Sequence, residues 1–230
     1  LGGDIYVKKA TLEYHASAQL EDLLDIGLRC ARVGNSSLLL QAGIFRGEQL
    51  LVSGELVYVF ADPATQTSRP VPEALRAIFA AYEAGDAMAH AHCGAWDALG
   101  PDAARVRHAV FIQEQGIPAD IEVDELDATA VHVVLRNRLG MPVATGRLLQ
   151  HAPGEGRIGR MAVERALRGG GWGRQVLRAL EDAARARGDQ RVLLHAQVQA
   201  RAFYERAGYH IHGEPWMEAG IPHITMQRAL

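Results

Sequence analysis

The spacing of hydrophobic positions divides the chain into two regions. In the first 85 residues, Val, Ile, Leu and Tyr alternate with polar residues along four runs. This period of two predicts strands, and turns at Gly34-Asn35 and Gly47-Glu48 predict that they form an antiparallel meander. Pro72 and Glu73 then open a predicted helix. The four predicted strands are residues 5–14, 23–33, 37–46 and 49–61.

Further along the chain the hydrophobic period becomes helical. An apolar, strand-like segment at 158–163 is followed by apolar residues at helical spacing, and this amphipathic helix is predicted to end near Gly188. A short apolar run at 192–196 predicts a buried strand, and residues 200–209 predict a further helix. The apolar face of the first helix consists of Val176, Leu177, Leu180, Ala183 and Ala184.

A glycine-rich turn, Arg168-Gly169-Gly170-Gly171-Trp172-Gly173, connects this strand to the amphipathic helix. Such a turn exposes backbone N–H groups at a helix N-terminus, an arrangement that binds phosphate. It is not a P-loop, because Arg174 and Gln175 follow the last glycine in place of Lys and Ser or Thr. Nor does the strand at 191–197 carry the acid that a dinucleotide-binding motif requires. A turn without a ligand is the alternative interpretation.

The pattern Arg168-x-x-Gly171-x-Gly173 resembles the pyrophosphate loop of the GNAT superfamily of N-acetyltransferases. Phe203-Tyr204, four residues before Gly208-Tyr209, resembles a second GNAT motif. The segments 110–118, 122–127 with His132, and 220–226 are similar to ElaA-like members. Together these matches cover residues 90–230, and they imply a GNAT mixed sheet flanked by helices over residues 96–230.

The resemblance implies acetyl-CoA (coenzyme A) as cofactor. A backbone N–H of the strand at 160–163 would face the thioester oxygen, the loop would hold the pyrophosphate, and Tyr204 would protonate the departing thiolate. A half-buried core tyrosine is the alternative for Tyr204. The implied cofactor-binding residues are Met161, Ala162, Val163, Arg168, Gly169, Gly170, Gly171, Trp172, Gly173, Arg174, Phe203 and Tyr204.

The general base has several candidates. Glu122 belongs to an acidic cluster with Asp124, Glu125 and Asp127, which could accept a proton, attract a cationic substrate or cap a turn. His223 and His132 are also candidates, because imidazole titrates near neutrality. A chain of water molecules is a further alternative.

Residues 1–85 resemble a partial hotdog-fold thioesterase of the hydroxybenzoyl-CoA type, joined by a linker at 86–95 to the GNAT domain. The resemblance rests on residues 14–22, 32–37, 54–59 and 69–72. The sequence starts in what resembles the second strand of that fold, so we expect an N-terminal strand and helix to be missing from it. A bare meander would expose an apolar face and a sheet edge. The resemblance also implies a homo-oligomer assembled through this segment.

Composition restricts the partners. The formal net charge of −3 argues against a nucleic-acid or membrane surface, and two cysteines are too few for a disulfide framework, which predicts a cytoplasmic protein. The group His90-Ala91-His92-Cys93 has no second ligand pair at zinc spacing, so we predict no metal.

These observations predict an acetyl-CoA-dependent N-acetyltransferase in which an amine attacks directly in a ternary complex. The acceptor would be a small-molecule or peptide amine. An acyl-CoA thioesterase, or an enzyme with both activities, is the first alternative. A non-catalytic scaffold that binds acyl-CoA is the second.

Overall fold

The structure is a computed structural model that describes residues 2–218 and 220–230. The chain divides into two compact units, the first ending at Met88 and the second beginning at Ala89. Among the described residues, no helix is both long enough and apolar enough to cross a membrane.

A four-stranded antiparallel sheet forms the first unit. Its strands lie close to the predicted positions, but their order is β1-β4-β3-β2, so the prediction of a simple meander was wrong. The hairpin turns place β2, β3 and β4 side by side, whereas ten residues separate β1 from β2 and allow β1 to pair with the free edge of β4. The elements are β1 (Asp4–Tyr14), β2 (Asp25–Val33), β3 (Ser37–Arg46), β4 (Gln49–Ala61) and α1 (Glu73–Glu83).

The core of the first unit is small. Leu38 and Phe60 of the sheet pack with Val71 and with Leu75 of α1, which starts after Pro72 as predicted. Large apolar side chains of β1, of β2 and of the segment between them remain exposed. They are Ile5, Tyr6, Val7, Leu12, Tyr14, Leu20, Leu23, Leu24, Ile26 and Leu28.

The second unit is built on a mixed sheet with the order β10-β12-β9-β8-β7-β6-β5, and β11 pairs with β12. The predicted strand, amphipathic helix, strand and short helix are all present, and α4 ends at Gly188, whose φ of 95° is left-handed. The strands are β5 (Ala89–Gly94), β6 (Val131–Asn137), β7 (Pro142–Ala152), β8 (Glu155–Val163), β9 (Arg191–Gln197), β10 (His210–Ile211), β11 (Trp216–Glu218) and β12 (Ile221–Ala229). The helices are α2 (Trp96–Arg107), α3 (Ala119–Glu122), α4 (Trp172–Arg187) and α5 (Arg201–Arg206), a π-helix at His108–Glu114 and 3₁₀ turns at Glu125–Thr129, Arg165–Leu167 and Val198–Ala200.

The predicted linker at 86–95 is largely a strand. Residues Ala89–Gly94 form β5, which pairs antiparallel with β6 at the edge of the sheet. Its alanine, histidine, cysteine and glycine residues carry little hydrophobic signal, and only Ala89 is buried. An edge strand needs few apolar residues, because one of its sides faces solvent. This explains why the sequence pattern resembles a linker.

Helices cover both faces of the mixed sheet. The apolar stripe of α4 packs on one face against Leu148, Ile158 and Leu194, in the largest core of the molecule. Residues of α2 pack on the other face, where Ala103 contacts Val134. The segment 108–129 continues along this second face and brings its acids close to β7 and β8.

A buried network of charges fixes that segment to the sheet. Arg107 donates to Glu122 at 2.5 Å and to Asp127 at 2.8 Å, and Arg147 donates to the same Asp127 at 2.7 Å. All four side chains are at most 5% exposed. Each charge therefore has an opposite charge in contact, which offsets the cost of burial.

Removing the central carboxylate should uncouple the network. We expect Asp127→Asn to destabilise the second unit by about 3–5 kcal/mol, because two buried arginines lose a shared partner. All three tryptophans lie in this unit, at positions 96, 172 and 216, so tryptophan fluorescence during urea unfolding measures its stability. Glu125→Gln, on the exposed side of the same turn, is the matched control.

The same variant has an expected pH signature. Burial alone would raise the pKa of Asp127, but hydrogen bonds from Arg107 and Arg147 lower it to about 2, whereas the unfolded value is about 3.9. The stabilisation is complete above pH ~4 and is lost as the pH falls towards 2. Unfolding free energy should thus decline less in Asp127→Asn over this range; parallel curves would contradict this role.

Candidate active site

Strands β8 and β9 are parallel neighbours that separate along their length. They pair from Glu155↔Arg191 to Ile158↔Leu194. Beyond this point Ala162 pairs only with β7 and Ala196 only with β12, so no described β8–β9 pair exists there. The result is a wedge that opens at the carboxyl ends of two parallel strands, a common position for ligand sites in sheets flanked by helices.

A β-bulge shapes the β8 side of the wedge. Arg160 and Met161 together oppose Gly146 of β7, and Arg160 has a left-handed φ of 52°. This conformation is uncommon for a residue with a side chain. The Arg160 guanidinium is held by the carbonyl groups of Glu122 and Ile121, at 3.0 and 3.1 Å, which stabilise the bulge.

The extra residue reverses which side chains face each side of the sheet. Before the bulge, Ile158 faces α4; after it, Ala162 packs with residues of α2 and Val163 joins the α4 core. Met161 lies close to the position of a side chain at Gly146 and also lines the cavity described below. Of the three predicted residues of this strand, Met161 lines the cavity, whereas Ala162 and Val163 pack into the cores on opposite faces of the sheet.

The glycine-rich loop reaches the same end of the sheet. Gly169 and Gly171 have φ values of 86° and 80°, and Gly171 caps the sixteen-residue helix α4. In the part of the chain that the structure describes, no hydrogen bond from the N–H groups of residues 169–172 to other protein atoms is present. With no acid in its first turn, α4 presents a site suited to an anion.

Two further positions complete the loop. A Cβ at Gly170 would lie 2.6 Å from the indole nitrogen of Trp172, so any other residue here would force the indole ring to shift. A Cβ at Gly173 would be 3.4 Å from the Phe203 ring of α5, in van der Waals contact. Loop, α4 and α5 are therefore in close contact beside the wedge.

Arg168 does not extend towards a ligand. Its guanidinium binds both carboxylate oxygens of Glu114 at 2.7 Å and the Val163 carbonyl at 3.1 Å. A phosphate contact through the Arg168 side chain would require this bidentate pair to break. Arg174 is exposed in the first turn of α4 and has no carboxylate within 4.0 Å among the described residues, so it is the better placed cation.

Tyr204 of α5 faces the wedge. The residue is 7% exposed, and Phe203 and Tyr209 contact its ring edge-on at 4.9 and 5.8 Å. No described residue hydrogen-bonds to its hydroxyl, whereas the hydroxyl of Tyr209 donates to Glu181. Burial raises the pKa of Tyr204 above its ordinary value, so the phenol stays protonated. A protonated phenol without a protein partner can donate to a ligand.

The wedge opens into a cavity of about 480 Å³ on the α2 side of the sheet. Its wall includes Tyr204, residues of β7 and β8, the segment after α2 and the ends of β11 and β12. The charged and imidazole side chains that line this cavity are Glu122, Asp124, Arg147, Arg157, Arg160, His195, Glu218 and His223.

Residues 101–230 match the family model of the acetyltransferase (GNAT) domain, which is more than half of the chain. The chain belongs to the GNAT acetyltransferase family. The uncharacterised N-acetyltransferase YjcF of Bacillus subtilis is 38% identical over 128 residues, which cover 55% of this chain and 90% of YjcF. The wedge, the loop and the tyrosine are thus parts of an acyltransferase, in a family that uses acyl-CoA.

Solved structures agree with this assignment. An acyl-CoA N-acyltransferase from Pseudomonas aeruginosa is 35% identical, with a TM-score of 0.55 over 61% of this chain and 99% of that structure. Escherichia coli ElaA is 28% identical, with the same TM-score and the same coverage of both chains. The similarity to ElaA-like proteins expected from the sequence is confirmed.

Glu122 is held in an ion pair. Its carboxylate is 3% exposed and accepts the Nε–H of Arg107, as described above. Asp124 accepts from Arg147 and from Arg160, and caps the 3₁₀ turn together with Asp127. Three acids of the cluster are therefore bound to arginines, and only Glu125 is exposed without such a contact among the described residues. A carboxylate that stabilises a buried guanidinium is a poor acceptor for a substrate proton.

The two histidine candidates differ in environment. His132 is 1% exposed, donates from Nε2 to the Asp127 carbonyl and contacts the Trp96 ring at 4.9 Å, and burial lowers its pKa. It does not line the cavity. His223 does, and its Nδ1–H donates to the Ile221 carbonyl at 2.8 Å. In the neutral ring Nε2 is then a free acceptor.

Sequence reasoning missed Arg157, His195 and Glu218. His195 had been read only as part of a buried strand, yet it is exposed and its ring contacts Trp216 at 4.9 Å. A period of two along β9 could have placed His195 and Gln197 together on the face opposite Leu194. Glu218 had no such signal. In the described residues no three His, Cys, Asp or Glu side chains are grouped so as to hold a metal ion.

A glutamate in the loop tests the anion site. We expect Gly171→Glu to weaken coenzyme A binding at least tenfold, because it places a negative charge and a strained side chain where phosphate would bind. Titration calorimetry with coenzyme A measures the effect. Gly140→Glu is the matched control, since Gly140 has a φ of 75°, no neighbour within 4 Å of a Cβ, and a position in the β6–β7 turn. Equal affinity of the two variants would place the phosphate site elsewhere.

Proposed function

We propose that the second unit transfers an acetyl group from acetyl-CoA to an amine by direct attack in a ternary complex. The observation that carries this proposal is the wedge between β8 and β9, with an anion-binding loop at one end and Tyr204 at its side. Bound acetyl-CoA supplies a thioester whose carbonyl the amine attacks. Loop and wedge together fit an extended molecule with a phosphate group and a narrow chain.

The residues of the loop and of the wedge would position the thioester. The free N–H groups at residues 169–172 and the Arg174 guanidinium would bind the pyrophosphate. Backbone groups of β8 beyond Ile158 have no partner on β9 and are available for the pantetheine arm. A backbone N–H at the bulge would stabilise the negative charge that develops on the carbonyl oxygen.

Proton transfer would involve one residue on each side of the reacting carbon. His223 Nε2 would accept the proton that the amine loses as its nitrogen bonds to the acetyl carbon. As the carbon–sulfur bond breaks, the Tyr204 hydroxyl would protonate the thiolate. We prefer His223 to Glu122 as the base, because Glu122 already serves Arg107.

Thiol release with a panel of primary amines tests this function. We expect free coenzyme A to appear only when acetyl-CoA and an amine are both present, with a mass increase of one acetyl group on the amine. Tyr204→Phe and His223→Gln should each lower kcat about a hundredfold, since general acid and base catalysis contributes about 10²–10⁴-fold. Coenzyme A affinity should remain unchanged in both.

Tyr209→Phe is the matched control for the phenol. Tyr209 is buried against Tyr204, but its hydroxyl is bonded to Glu181, so the variant should lose stability and keep its kcat. Release of thiol without an amine would favour a thioesterase. Tight binding without release would favour a non-catalytic acyl-CoA scaffold. Normal turnover by Tyr204→Phe would remove the proposed acid.

For the first unit we propose a hotdog-type sheet that assembles homo-oligomers. The support is the uneven covering of the sheet, since α1 packs against Leu38 and Phe60 while the side chains of β1 and β2 stay exposed. Exposed apolar side chains on the two edge strands of a sheet are typical of surfaces that pair with another chain. The expected linker would correspond to residues 86–88, ahead of β5.

A charge in this surface should dissociate the oligomer. Leu28 of β2 is 49% exposed, and Leu28→Glu would place a carboxylate in an apolar interface. We expect light scattering after size exclusion to show a multiple of the 25.0 kDa chain for the wild type and a smaller species for the variant. Leu139→Glu, in the second unit, is the control. A monomeric wild type would contradict the proposal.

A further inference from the structure

The cavity contains three arginines, and two of them are neutralised. Arg147 contacts Asp124 at 2.6 Å and Asp127 at 2.7 Å. Arg160 contacts Asp124 at 3.2 Å and donates to two backbone carbonyls. Both guanidinium groups thus serve the protein's own carboxylates and are poorly placed to bind an anionic ligand.

Arg157 is different. It is half-buried on β8, two residues before Gly159, and it lines the cavity. Among the described residues no carboxylate oxygen lies within 4.0 Å of its guanidinium, and no hydrogen bond is formed by it. A half-buried guanidinium without a counter-charge has lost part of its hydration and gained no protein partner. Such a group is suited to a ligand anion.

A carboxylate of the protein is also unmatched on this wall. Glu218, at the end of β11, is exposed, lines the cavity and forms no described ion pair. Burial and the charge of Arg157 lower the pKa of His195, while Glu218 acts in the opposite direction. Both charged groups line the cavity together with His195. One unmatched cation and one unmatched anion are thus present beside the same ring.

The imidazole rings of His195 and His223 both contact the same aromatic ring on this wall. Trp216 contacts His195 edge-on at 4.9 Å and His223 at 6.1 Å. His223, the proposed base, is therefore part of the surface that carries Glu218 and Arg157. An acceptor bound there would have its amine near His223 if its anionic group lay on Arg157.

We infer that the acceptor carries a carboxylate as well as the reacting amine, and that Arg157 binds this carboxylate. The planar guanidinium fork matches a carboxylate with two parallel hydrogen bonds. Glu218 would attract the ammonium form of the acceptor on entry. The ammonium would lose one proton to solvent to become the nucleophilic amine, and His223 would accept the second as the nitrogen bonds to the acetyl carbon. The substrate class is a free amino acid or a similar aminocarboxylate. This inference rests on the proposed N-acetyltransferase function.

Matched substrates distinguish the role of the carboxylate. The thiol-release assay would compare a panel of amino acids with their carboxamides, their decarboxylated amines and aminoalkyl phosphates. We expect the wild type to prefer the carboxylates by about 10- to 100-fold in kcat/KM, as for a hydrogen bond to a charged group. Equal rates for acid and amide, or a preference for the phosphates, would overturn the inference.

Variants of Arg157 locate the effect. Arg157→Met should abolish the preference by raising KM for the amino acids, with kcat/KM for the amides unchanged, and Arg157→Lys should restore part of it. Arg105→Met, an exposed arginine of α2 outside the cavity, is the control for loss of charge. If Arg157→Met lowered kcat/KM equally for the acids and the amides, Arg157 would have a structural role and the inference would be contradicted.

A binding measurement separates this inference from the proposed function. Titration calorimetry with amino acids and their amides, in the presence of coenzyme A, needs no turnover. Binding of the acids that depends on Arg157, without acetyl transfer, would disprove the proposed activity and retain the carboxylate site. Acetyl transfer with no dependence on the carboxylate or on Arg157 would disprove the site and retain the activity.

Discussion

The separation of β8 from β9 after the pair Ile158↔Leu194 is the constraint on which the proposed site depends. Two parallel strands that remained paired would use their backbone groups on each other and leave no space between them. Here β8 stays paired with β7, and β9 stays paired with β12. The backbone groups between them become available for a ligand, and the glycine loop and Tyr204 lie at the same end.

Hydrogen bonds and ion pairs of arginine side chains stabilise the strand β8 at the point where it separates from β9. Arg160 adopts its left-handed conformation at the bulge while its side chain holds the carbonyls of residues 121 and 122. The same segment is fixed to the sheet by Arg107, Asp127 and Arg147. The acids that looked like candidate bases in the sequence thus keep the active-site wall in place. For this reason we propose His223, whose Nδ1–H is bonded to the Ile221 carbonyl, as the proton acceptor in their place.

Local patterns predicted much of the fold. The strand and helix positions followed from the hydrophobic period, and the glycines predicted the turn before α4 and its end at Gly188. The patterns failed where long-range pairing decided the structure: β1 crosses to β4, and β5 is an edge strand with little apolar content. The sequence also could not show that Arg168 is bound to Glu114, since the two are 54 residues apart. Arg157 and Glu218 gained their meaning only from the absence of nearby partners in the described fold.

A crystal structure of the chain with coenzyme A tests the central claim most directly. The account predicts the pyrophosphate within hydrogen-bond distance of the backbone N–H groups at residues 169–172, and the pantetheine arm between β8 and β9. The thiol should then lie beside the Tyr204 hydroxyl. Pyrophosphate bound away from the loop, or a thiol on the α4 side of the sheet, would contradict it.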